Sequence, residues 1–565
     1  MAESTNKADK IGTGVAVKGH SETENSVADF IVIGGGTAGC VVANRLSEDP
    51  NITVLLIEAG GIPPKESLMP ALLLYNKNNR TNWDIETQGD GYTFSGYKNK
   101  NYDLIQGKML GGCSSLNLMN YFPIAPIDFN YWAKLVNNSV WSWDSVNKNY
   151  LIKKIENMQS KKVLNSANRK YYGTKGLLKL TVASFKKIKK YLDGFKEVGK
   201  NIIDVFTPNN FVAYGPPTQT LANDYRQSSA YAYLSPIRKR KNLHVLINTE
   251  AIEILFDGSR AIGVKVVNKG KKYTLRAKKG IIVAAGAINS PKLLMLSGIG
   301  PKEHLKSFGI NVKINLRVGY NLQDHVSVTL YHKTGVKVSK SLEQHDAIES
   351  ILGTSSVNES TKNPEYLSLI HVQSRETALK YCAYFEGVEN KICDSIFAEC
   401  DNNEIISSQL APLHPISRGR VKLRSSNYKD SPVVVPKYYD NDKELSNHVK
   451  YLKDYLKVFD SESFKKLGVK FLKPKLLKCD MFVNDSDDYW KCFILSLTTS
   501  FRHYCGTCAM GSVVDNRLKV YGTQNLYVAD TSMFPIINSG GPAGVAMMVG
   551  EVAADIIKED YGIRN

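Results

Sequence analysis

No apolar run in this chain reaches the roughly 18 residues that a membrane-spanning helix needs, so no transmembrane segment is expected. Zinc-finger, RRM and helix-turn-helix patterns are absent, so no nucleic-acid partner is expected, despite a formal net charge of +19. That excess reads as a solvated basic surface. The first 28 residues are polar and mixed in charge, with no apolar core of a signal peptide. A cytosolic chain and a mature secreted form both stay open. There is no internal repeat and no long low-complexity stretch. Nine cysteines stand at 40, 113, 382, 393, 400, 479, 492, 505 and 508. The one C-x-x-C, Cys505 to Cys508, has no second pair or His pair near it, so no metal site is expected. The same two thiols read as small buried residues rather than a redox pair. Cysteine usage leaves the redox compartment open. Sequons at Asn51, Asn79, Asn137, Asn358 and Asn484 are about as many as an Asn-rich chain yields by chance.

What is present is ordinary globular material: 565 residues, 43% hydrophobic and 22% charged. That length allows two or three domains and a core large enough for a sizeable cofactor. The clearest local unit lies near the start. Asp29 to Ile33 reads as a short buried strand, Gly34-Gly-Gly-Thr-Ala-Gly39 as a tight turn, Cys40 to Ser47 as a helix, and Thr53 to Glu58 as a second strand. Gly34, Gly36 and Gly39 match G-x-G-x-x-G. The first permits the turn, the second lets backbone approach a pyrophosphate, and the third lets helix pack on strand. The helix N-terminus presents free N–H groups to phosphate. Glu58 ends the second strand, where a carboxylate suits a ribose 2′-OH and repels a 2′-phosphate. Thr37, Ala38 and Ala59 fall inside the same unit. Dinucleotide binding follows; the choice between FAD and NAD does not.

Further along, residues 136–225 are rich in Lys, Asn and Tyr, with a basic amphipathic helix around Phe185, Ile188, Leu192 and Phe195. Strand runs are expected over 243–256 and 261–285, and an amphipathic helix over 441–459. Residues 525–560 read as strand, Gly-rich loop and helix. Residues 331–405 are weakly patterned.

Four more stretches carry a resemblance to the glucose-methanol-choline (GMC) oxidoreductase family. Gly107-Lys-Met-Leu-Gly-Gly-Cys-Ser-Ser-Leu-Asn117 looks like its first signature, and Gly286 to Gly300 like its second. Val318-Gly-Tyr-Asn-Leu-Gln-Asp-His325 is similar to a family segment. His503-Tyr-Cys-Gly-Thr-Cys-Ala-Met-Gly511, followed by Asn525 to Asp530, resembles the C-terminal active-site block. The resemblance runs from about residue 28 to 560, nearest to the insect glucose dehydrogenase and ecdysone oxidase branch. It implies an α/β fold. A disordered lead-in (1–27) precedes a Rossmann-like FAD-binding domain assembled from 28–135, 226–330 and 496–565. An α+β substrate domain with an antiparallel sheet takes 136–225 and 331–495. It implies that Leu110, Gly112, Cys113, Asn117 and Met119 lie along the flavin, that Ala251 approaches the adenine, and that Asp530 faces the ribityl or pyrophosphate. Pro542 and Ala543 would stand near the pyrimidine edge. Some members attach FAD through a His just before that Asn. Here the position is Leu116, which implies non-covalent FAD.

Oxidising an alcohol requires a hydride acceptor and a base for the hydroxyl proton. The resemblance places His503 as that base, with O2 or another acceptor taking the electrons onward. It also exposes a departure. Gly541 stands where the family usually has a second His or an Asn, and a glycine holds no hydroxyl. Asn538 or Ser539 is a candidate to fill the gap, as is a water. The leading expectation is therefore an FAD-dependent oxidoreductase acting on a primary or secondary alcohol of sugar, sterol or aryl class. The alternatives are a hydroxynitrile lyase-type enzyme without net redox chemistry, and a degenerate flavin-binding protein.

Overall fold

Five short strands run parallel in the order Leu243–Leu246, Val54–Ile57, Val27–Ile33, the end of Lys271–Val283, and Leu526–Val528. The structure is a computed structural model that describes residues 27–69, 80–122, 124–184, 188–338, 349–358 and 363–564. The lead-in up to Ser26, the sequon at Asn79 and Phe185 of the expected basic helix lie outside the described residues. These parallel strands are apolar runs because both faces are covered, which removes any need to alternate. All four residues of Val54–Ile57 are buried. The 13-residue strand Lys271–Val283 serves two purposes. Its last residues pair parallel with Ile31 to Ile33, while its first half pairs antiparallel with Arg260–Asn268, which in turn pairs with Thr249–Asp257.

The first and last described helices meet on this sheet. Helix Pro542–Asp560, with Pro542 in its first turn, crosses helix Gly39–Leu46 at Gly550. A Cβ there would lie 2.8 Å from Ala38 O and from Val41 Cβ, so only glycine lets the helices approach so closely. Arg45 closes the crossing by donating two 2.8 Å hydrogen bonds to the buried carboxylate of Glu551.

The second sheet has seven strands, all paired antiparallel. Its order is Lys470–Phe471, Val326–Lys337, Asn403–Pro412, Tyr366–Gln373, Glu349–Ser355 and Ala213–Gly215, with Thr498–Ser500 paired to the start of Val326–Lys337. Residues 331–405, weakly patterned in sequence, supply its centre. Tyr366–Gln373 and Asn403–Pro412 are buried on both faces and carry interior Ser and Gln. They show neither alternation nor a purely apolar run. The polar groups are partnered inside: Tyr455 donates to Ser408 Oγ at 2.7 Å and Gln373 to Ser407 Oγ at 2.6 Å. Tyr455 comes from helix Asp442–Leu456, capped by Asn441 and lying within the span expected from its apolar spacing. The basic helix runs Lys189–Glu197 and buries Tyr191, Leu192 and Phe195. Disulfides Cys382–Cys393 and Cys479–Cys492 brace this half of the molecule. Among the described residues no helix is long and apolar enough to cross a membrane.

Candidate active site

The turn from Gly34 to Gly39 is built on contacts that exclude side chains. Gly34 adopts φ +101°, and a Cβ on Gly39 would sit 1.9 Å from Gly34 O. The loop after Met109 folds onto this turn: Gly111 N donates to Gly35 O at 2.7 Å, and a Cβ on Gly112 would lie 2.9 Å from Gly36 Cα. Glu58 closes the arrangement. Its two carboxylate oxygens accept from Gly35 N (2.9 Å) and Gly60 N (2.7 Å), leaving lone pairs for hydroxyl donors. Burial pushes this carboxyl up, and the two amides hold it down.

One cavity joins the turn to His503. Gly34, Gly36, Thr37, Ala38, Glu58, Ala59, Gly112, Cys113, Asn117, Ala251, Asp530, Gly541, Pro542 and Ala543 all line it. Asp530 is anchored by Ser290 Oγ (2.5 Å), Gly286 N (2.9 Å) and Ser532 N (2.7 Å). Leu110, Met119, Gly39 and Asn538 are not on the cavity wall. Gly39 acts through helix packing. Leu110 packs behind Gly35, where a Cβ would meet its Cδ2 at 2.8 Å. Met119 takes φ +60° and holds Thr220 N on its carbonyl. Asn538 is buried with its amide donating to Gly540 O at 3.1 Å, and Ser539 is held by Asp128. Neither fills the space beside Gly541. Phe122 does: a Cβ on Gly541 would lie 2.3 Å from Phe122 Cδ2. The gap expected from the glycine is thus occupied by an aromatic ring from another segment.

His503 is 8% exposed and lines the cavity. Phe501 stacks on its ring (5.5 Å, 21°), and Phe122 meets it edge to face (5.8 Å, 84°). Its backbone N donates to Asp324 Oδ1 at 2.8 Å. Its Nδ1 lies 2.8 Å from Nδ1 of His325. Burial first, then His325 and the Arg502 cation, hold the His503 imidazolium well below the usual histidine range, so the ring is neutral at neutral pH. Cys505 and Cys508 are buried, off the cavity wall and not joined to each other; burial pushes both thiols up, so they stay protonated.

Sequence reasoning missed three residues here. Phe122 carried no pattern. Arg226 is fully buried with only neutral acceptors: Ser67 O (2.7 Å), Ser114 O (3.2 Å) and Asn117 Oδ1 (2.6 Å). It ties the loop that carries Ser114 and Asn117 to the segment around Ser67. His325 was visible in its segment but not as a neighbour of His503.

A fold with a parallel dinucleotide sheet, an antiparallel sheet beside it and a single imidazole on the shared cavity defines a nucleotide-cofactor oxidoreductase. The family model described as GMC oxidoreductase matches residues 28–327 and 415–550. The chain is 32% identical to "Ecdysone oxidase" of Bombyx mori, over 95% of this chain and 82% of that one. It is 30% identical to "Glucose dehydrogenase [FAD, quinone]" of Drosophila melanogaster, over 95% and 87%. The crystal structure of pyridoxine 4-oxidase from Mesorbium loti superposes with a TM-score of 0.80 at 23% identity, covering 95% of this chain and 100% of that one. The chain belongs to the GMC oxidoreductase family, and it is an FAD-dependent oxidoreductase of the class that acts on alcohols.

The cavity fits FAD. Beyond the glycine cradle and Glu58, Asn289 Nδ2 and Gln106 Oε1 are buried without hydrogen-bond partners, and both residues stand on the cavity wall.

Proposed function

We propose that this protein oxidises an apolar primary or secondary alcohol, with His503 as the general base and FAD held without a covalent bond. The observation that carries the reading is a neutral, buried imidazole on the same cavity as the glycine cradle. The cradle residues Gly34, Gly36 and Gly112 would hold the pyrophosphate region, Glu58 the ribose and Ala251 the adenine. Asn117, Pro542 and Ala543 would flank the ring. When bound, FAD supplies the acceptor for the hydride leaving the carbinol carbon. His503 takes the hydroxyl proton on its ring nitrogen, so that the carbon–hydrogen bond is weakened as the oxygen gains charge. Leu116 lines the cavity and carries no nucleophile, which supports non-covalent cofactor.

The lining favours an apolar substrate over a sugar. Leu118, Phe122, Leu369, Tyr381, Phe385 and Phe501 stand on the cavity wall, and Phe122 and Phe501 pack on the His503 ring. A sugar needs a partner for each buried hydroxyl, and unpaired ones cost about 1–3 kcal/mol each. Of the polar side chains on the wall, Gln409 donates to Ser327 Oγ at 3.0 Å and Arg502 pairs with Glu386 at 3.4 Å, while Asn120 Oδ1, Tyr504 OH and Arg502 Nε are buried without a partner, too few to match every hydroxyl of a sugar. Of the compounds named by its relatives, ecdysone is nearer this chemistry than glucose. The test is anaerobic titration of the yellow protein with aryl and steroid alcohols and with sugars. Bleaching of the flavin band by an apolar alcohol is expected. Acid precipitation should release the flavin into solution. No bleaching by any alcohol would favour the second reading, a flavin-binding protein without turnover. Phe122 beside Gly541, which leaves His503 without a second hydroxyl partner, is the observation behind that reading.

A further inference from the structure

We propose that His325 fixes the tautomer of His503 and is a positioning residue for the proton transfer. This deepens the reading of His503 as the base and rests on it. The argument is a proton count along a chain of three groups. At the far end, the carbonyl of Leu413 lies 3.2 Å from His325 Nε2. A carbonyl oxygen only accepts, so Nε2 of His325 carries the hydrogen. His325 is 0% exposed and neutral, because burial pushes its imidazolium down to about 3. A neutral imidazole has one N–H, so Nδ1 of His325 is bare and must accept. The atom 2.8 Å away is His503 Nδ1, which therefore donates. His503 is neutral too, and its single hydrogen is now committed. Its Nε2 is left with a lone pair and makes no hydrogen bond among the described residues, on a ring that lines the cavity. One main-chain oxygen thus dictates, through two rings, which nitrogen is basic.

The backbone places the two rings without freedom to drift. Gln323 and Cys505 exchange two main-chain hydrogen bonds of 3.0 Å, and Phe501 N donates to His325 O at 3.1 Å. Asp324, between them in sequence, holds His503 N. The Asp324 carboxylate is itself held by Tyr438 (2.5 Å) and Ser500. The imidazoles consequently meet at 84° with centroids 5.1 Å apart. Phe501 and Phe122 block the His503 ring from turning over. Without an acceptor at position 325, the proton of His503 is free to occupy either nitrogen, and the Nε2–H form cannot take a proton from a substrate.

Two variants separate positioning from simple packing. In His325→Asn the amide oxygen stands near the place of Nδ1 and still accepts. In His325→Leu nothing accepts. The measurement is 15N NMR of the FAD-loaded protein labelled at histidine, with His503 assigned by its loss in His503→Ala, together with steady-state kinetics. The wild type and His325→Asn should show His503 protonated on Nδ1 and bare on Nε2. His325→Leu should show mixed tautomers and lose about 10- to 100-fold in kcat with KM little changed, the range for removing a partner that orients a site residue. His325→Asn should keep most of kcat. A wild-type His503 protonated on Nε2 would overturn the proposal, whatever the variants do. So would equal losses in the two variants, or a His325→Leu protein as active as the wild type. Full activity in His503→Ala would instead remove the base reading and leave the tautomer result standing on its own.

Discussion

Phe122 stands where a side chain at position 541 would project, with a Cβ on Gly541 falling 2.3 Å from Phe122 Cδ2. The two residues are one structural decision: the glycine admits the ring, and the ring forbids anything larger than the glycine. Gly541→Asn alone should therefore destabilise by about 1–3 kcal/mol, the ordinary cost of overpacking. In the double variant with Phe122→Ala the two losses should be well short of additive. Thermal melts of the two single variants and the double variant check this; additive losses in the double variant would separate the two positions.

The activity should be lost only on the acid side, and late. In the proposed mechanism the competent form of His503 is the neutral one. Burial, His325 and Arg502 all lower its folded value below the ordinary 6.5. The base is thus present throughout neutral pH, and kcat/KM should fall only as pH drops through that lowered value. The profile with an alcohol that does not ionise reads this directly. A limb centred at or above 6.5 would contradict it.

Arg226 should matter to the cofactor more than to the chemistry. It binds Ser114 O and Asn117 Oδ1 on the loop proposed to flank the flavin, and Ser67 O. Arg226→Met leaves those acceptors buried without a donor, at about 3 kcal/mol or more. Size-exclusion chromatography followed by an absorption spectrum should show flavin lost from the variant and retained by the wild type.

One of the two disulfides braces the cavity wall. Cys382 lies between Tyr381 and Phe385, both on the wall, and is tied to Cys393. Loops of 11 and 13 residues should each contribute about 3 kcal/mol in the chain-entropy picture. Treatment with a phosphine reductant should lower the melting temperature. Cys382→Ala with Cys393→Ala should raise KM for an apolar alcohol more than it changes kcat.

Much of this protein was determined within short windows. The turn from Gly34 to Gly39, the acid at Glu58, and the helix after Pro542 each depend on residues a few positions apart, because backbone conformation and helix packing are set locally. His503 was recognisable by its block. What required the tertiary structure was everything that depends on distance across the chain. The central strands around Tyr366–Gln373 are buried on both faces yet carry Ser and Gln, so no period marks them. Phe122 and Gly541 are 419 positions apart in sequence and touch only because the segment that follows the first signature packs against the start of the C-terminal helix. His325 and His503 are separated by 178 residues, and their hydrogen bond exists because two main-chain segments pair side by side. Sequence names a histidine, but which of its nitrogens is basic depends on which oxygen lies at the far end of its partner.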